Sequence, residues 1–128
     1  MNKITHYLTV FALFAVAGTA HVNAHCQIPC GIYDDQARIH MMEEHVVTIE
    51  KAMKQIEAGQ NANQSARWVM NKEKHAEELT DIVTYYFMAQ RIKPGMDNYD
   101  KNLKTLHEII VYTMKAKQTT ELANIKKL

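Results

Sequence analysis

The chain has 128 residues, 47% of them hydrophobic, with 15 Lys and Arg against 14 Asp and Glu. One cation, Lys3, falls in an N-terminal leader, which leaves 14 cations against 14 anions beyond it. That balance offers neither a basic face for nucleic acid nor a cationic patch for a membrane surface.

The first element is an export-type leader. Lys3 gives it a positive start, Tyr7–Ala17 an apolar core, and Val22-Asn23-Ala24 a small-residue cleavage motif. The apolar run is shorter than the about 20 residues that a membrane-spanning helix needs. Residues 1–24 are therefore expected to be removed, leaving 25–128 as one small domain in the periplasm or outside the cell. The alternative is a cytoplasmic propeptide removed by a dedicated processing protease. A chain of this size buries only a modest core, so a bound metal or oligomerisation would help it.

Cutting after Ala24 makes His25 the N-terminus of His25-Cys26-Gln27-Ile28-Pro29-Cys30-Gly31-Ile32-Tyr33. An α-amine, an imidazole, a backbone amide and two thiols then lie within six residues. The amine has an ordinary pKa near 8 and yields its proton to a metal at neutral pH. Cys26 and Cys30 bind as thiolates. With the amine and the Cys26 sulfur bound, the amide nitrogen between them comes within chelating reach. Amine, amide and two cis thiolates form a planar N₂S₂ set that favours Ni(II) or Cu(II) over Zn(II), with the His25 imidazole free to take an axial position. Pro29 and Gly31 bend Cys30 back toward Cys26. Two other readings use the same cysteines. In an oxidising compartment they can close a local disulfide, and as a Cys-x-x-x-Cys pair they can hold Cu(I) in an exported, non-enzymatic carrier. Only the planar site needs His25 to be the first residue.

From Asp34 on, the chain reads as helix. Asp34 or Asp35 can cap an N-terminus, and Ile39, Met42, Val46, Ile49, Met53 and Ile56 form one apolar stripe. Gly59 is the stop. Gln60–Ser65 is read as a polar loop that contains the sequon Asn63-Gln64-Ser65. A second helix is expected over Ala66–Gln90, with Val69, Ala76, Leu79, Val83 and Tyr86 inward. Lys93-Pro94-Gly95 ends it. Asp97 or Asn98 opens a third helix that buries Tyr99, Leu103, Leu106, Ile110 and Met114. A short amphipathic piece with Leu122, Ile125 and Leu128 follows. Of the eight methionines, Met42, Met53 and Met114 are read as core residues rather than ligands. No segment alternates with period two, so the fold expected is an all-α antiparallel bundle, preceded by an irregular N-terminal hook.

The run His25-Cys26-Gln27-Ile28-Pro29-Cys30-Gly31-Ile32-Tyr33 resembles the nickel hook of nickel-containing superoxide dismutases, and the likeness extends more weakly through Asp34–Arg38. The resemblance implies a homohexamer of four-helix bundles, the fourth helix cut short in this chain, that converts superoxide to dioxygen and hydrogen peroxide by Ni(III)/Ni(II) cycling, with one nickel per chain. It implies nickel ligation by His25 through amine and imidazole, by Cys26 through amide and thiolate, and by Cys30 through thiolate. It makes Tyr33 the residue beside the metal that lines substrate access. Some members hold the axial imidazole with a glutamate from the first helix and an arginine from the second. His40 and His75 stand near those places here, as candidates for that role.

Overall fold

In a computed structural model the described residues are 34–128, and among them the fold is all-α, four helices packed antiparallel with no strand. The expectations for the leader and the hook lie outside the described residues. We number the helices α1 (Asp35–Glu57), α2 (Ala62–Asp81), α3 (Tyr99–Gln118) and α4 (Leu122–Ile125). A π-helical segment, Ile82–Arg91, continues α2.

α1 starts on Asp34, whose carboxylate accepts the Gln36 backbone N–H at 2.9 Å, and is followed by Gly59 at φ +67°. That left-handed conformation suits glycine, so the stop read from the sequence is a backbone requirement. α2 begins four residues earlier than the sequence reading, because Asn61 caps it by accepting the Gln64 N–H at 3.1 Å. The polar run read as a loop, the sequon included, is therefore mostly the exposed first turn of a helix. α3 follows Asn98, which adopts φ 60°, a left-handed conformation that asparagine tolerates better than most residues.

The core joins all four helices. Ile49 and Met53 of α1 meet Ala76 and Leu79 of α2, Ala116 of α3 and Ile125 of α4, and Met42, Val46, Leu122 and Leu128 pack against them. The two alanines let helix axes approach where larger side chains would hold them apart. Three residues assigned to the inner stripes face solvent instead: Ile39, Val69 and Met114 are 40%, 41% and 50% exposed. On α3 the stripe runs through Thr113 and Ala116, both fully buried. Following hydrophobicity to Met114 took it one residue off the helix's inner line.

Lys72 sits on the inner face of α2 and is only 4% exposed. Its ammonium donates to the Ala116 carbonyl at 2.9 Å and to the Lys117 carbonyl, and it lies 3.4 Å from Glu73. The last carbonyls of α3 have no partner within their own helix and carry the negative end of its dipole. A buried cation is satisfied there, and it ties α2 to the end of α3.

The chain leaves α-helical pitch after Asp81. The Thr80 hydroxyl donates to the Ala76 carbonyl at 2.9 Å, and that of Thr84 to the Thr80 carbonyl at 2.8 Å. Such back-bonding loosens and bends a helix. The β-branched and aromatic run Ile82-Val83-Thr84-Tyr85-Tyr86-Phe87 adds crowding. The result is a five-residue repeat, visible in the Ile92 N–H bonded to the Phe87 carbonyl at 3.0 Å. Residues five apart now share a face, which in an α-helix they do not.

Candidate metal centre and the root of the hook

His25, Cys26, Cys30 and Tyr33 lie outside the described residues. The structure does show what holds the helix that directly follows them in sequence. Asp34 caps α1, and Asp35, its first residue, reaches across to the π-helical segment. The Tyr86 hydroxyl donates to the Asp35 carboxylate, which also pairs with the Arg91 guanidinium. Arg91 in turn donates to the Tyr86 oxygen at 2.7 Å.

Tyr86 and Arg91 are five residues apart, so the π repeat brings them together. Tyr86 is 6% exposed. The guanidinium carbons of Arg38 and Arg91 lie 5.5 Å and 5.1 Å from its ring centre, and Phe87 packs edge-on at 5.1 Å. Burial raises the Tyr86 phenol above its ordinary value of 10, and its hydrogen bond to Asp35 adds to the shift while Arg91 opposes it. For Arg91, burial alone would lower the pKa, but its bonds to Tyr86 and Asp35 outweigh that and raise it. The first turn of α1 is thus clasped by charge-assisted hydrogen bonds, which are stronger than neutral ones.

The two candidate anchors of the axial imidazole have separate surroundings. His40 lies on the exposed side of α1, 3.1 Å from Glu43 and 3.4 Å from the Gln36 amide. His75, on α2, has its Nδ1 2.8 Å from Nδ1 of His45 on α1, and Glu78 stands beside both. Burial lowers the pKa of His45 below its ordinary 6.5 and the neighbouring His75 adds to this, against the pull of Glu78 and Glu44.

Sequence reading missed the Asp35–Tyr86–Arg91 clasp and the His45–His75 contact. A spacing of five carries no meaning until the π-helical segment is seen. Lys72 was legible in principle, since it falls between Val69 and Ala76 at helical spacing.

The described residues form an all-α bundle, and the sequence ahead of it carries an imidazole and two thiols, donor groups of the kind that metalloproteins use. The chain belongs to the nickel-containing superoxide dismutase family, whose family model matches residues 20–128. It is accordingly a nickel-dependent enzyme that acts on superoxide, and the non-enzymatic copper carrier falls as a reading. None of the curated proteins and none of the solved structures matches the chain.

Proposed function

We propose that this chain acts on superoxide at a hook of its own first residues after processing, with nickel held by His25, Cys26 and Cys30. The observation that carries the reading is the family match, which spans residues 25–33, together with the complete donor set those residues supply. Two thiolates, an amine and a deprotonated amide suit nickel better than zinc. His25 contributes its amine and imidazole, Cys26 its amide nitrogen and thiolate, and Cys30 its thiolate. Bound nickel supplies the one-electron chemistry by which two superoxide anions and two protons become dioxygen and hydrogen peroxide.

Tyr33 lines the approach and screens out larger anions. A small diffusing anion offers little to recognise, so a narrow entry and polar groups facing it must give selectivity. The clasp of Asp35 by Tyr86 and Arg91 supports this reading, because it fixes the chain two residues beyond Tyr33. Fixing the exit limits the conformations that the hook must lose when it closes on its ligand.

Export after cleavage behind Ala24 and assembly into a homo-oligomer, a hexamer by resemblance, complete the proposal. Ile39 and Val47, two turns apart on one side of α1, remain exposed at 40% and 63%, as a face awaiting a second copy would leave them. Nickel content and superoxide turnover of Cys26→Ser and Cys30→Ser test the site. Both variants should lose nickel and activity while keeping helical circular dichroism. Full activity in either would rule out the proposed ligand set.

A further inference from the structure

We propose that His45, His75 and Glu78 form a second metal site, which takes Zn(II) and pins α1 to α2. The Nδ1 atoms of the two histidines are 2.8 Å apart, and Glu78 Oε2 is 3.6 Å from one and 3.7 Å from the other. A point about 2.0 Å from all three atoms lies inside that triangle, which matches zinc–nitrogen and zinc–carboxylate bond lengths. Ligand atoms that converge this closely from two helices are already placed for an ion.

The chemistry favours an ion over the bare contact. Two neutral imidazoles can share only one proton between their Nδ1 atoms, and a metal replaces it by using both lone pairs. His75 and Glu78 are one turn apart on α2, so a single helix face presents them together. His45 comes from the facing helix, and an ion held by all three is a cross-link. Glu78 can serve the site through Oε2 while Oε1 stays 3.7 Å from the Lys74 ammonium. The side chains are 12%, 25% and 42% exposed for His45, His75 and Glu78, so water can reach the remaining coordination positions. Two imidazoles and a carboxylate with no thiolate select a borderline divalent ion and reject Cu(I). This set shares no residue with His25, Cys26 and Cys30.

The test is zinc binding by the nickel-loaded enzyme, followed by isothermal titration and by displacement of Co(II), whose visible bands report nitrogen–oxygen coordination. One additional zinc per chain is expected. Zinc at a hundredfold excess over its Kd should raise the folded-to-unfolded ratio about a hundredfold. His45→Gln and Glu78→Gln should each weaken zinc binding at least about tenfold. The isosteric, half-exposed Glu78→Gln should do so with circular dichroism and nickel content unchanged. Absence of a second ion at millimolar zinc, or wild-type zinc binding by both variants, overturns the site. So does loss of the extra zinc in Cys26→Ser, which would place it on the hook.

Discussion

Replacing Tyr86 with phenylalanine removes one oxygen and leaves the ring in its place, packed against Phe87 and the two guanidinium groups. That oxygen donates to Asp35 and accepts from Arg91. Hydrogen bonds to charged partners contribute about 1.5–3 kcal/mol each in favourable settings. Two considerations bring the expected loss below their sum. Asp35 and Arg91 still contact each other directly without the phenol, and the Asp35 side chain is 52% exposed, so water replaces part of what it loses. We therefore expect Tyr86→Phe to cost about 1.5–2 kcal/mol, or a drop in Tm of roughly 10 °C for a domain of this size. Urea unfolding followed by circular dichroism measures it, and the slope should stay at the wild-type value. A loss under about 0.5 kcal/mol would refute the clasp as a source of stability.

Lys72→Met should cost about 2 kcal/mol in the same assay, since it strips the buried carbonyl of Ala116 and the part-buried carbonyl of Lys117 of their donor; a neutral result would mean those carbonyls find water. Thr113→Val should stabilise by about 1 kcal/mol, because the Thr113 hydroxyl is fully buried with no hydrogen-bond partner among the described residues. The raised pKa of Tyr86 favours the neutral phenol in the fold, so its contribution is complete below pH 10 and is lost as pH rises through the folded-state value. The stability of the wild type should therefore fall more steeply above pH 10 than that of Tyr86→Phe, as thermal melts across that range would record.

The helices were legible because their spacing is a direct consequence of burial. Ile49, Met53, Ala76, Leu79 and Val83 lie where a three-and-four repeat places them, and all are fully buried. Boundaries were less so. Asn61 caps α2 through a hydrogen bond that looks like any polar loop residue in one dimension. Met114 drew the α3 stripe off line, since a hydroxyl in a core is not what hydrophobicity selects. The family could be read from local order, the run of residues 25–33, and the family match bears it out. Chemistry carried by tertiary contact could not be read that way, since the clasp joins residues 51 apart and the His45–His75 contact joins residues 30 apart.

The intact native mass of the active enzyme bears most directly on the proposed hook. It should correspond to a chain that begins at His25 and carries one nickel, with a further zinc where that metal is supplied. An active, nickel-loaded enzyme whose chains retain Ala24 or any earlier residue would contradict the account, because His25 would then have no amine to give the metal.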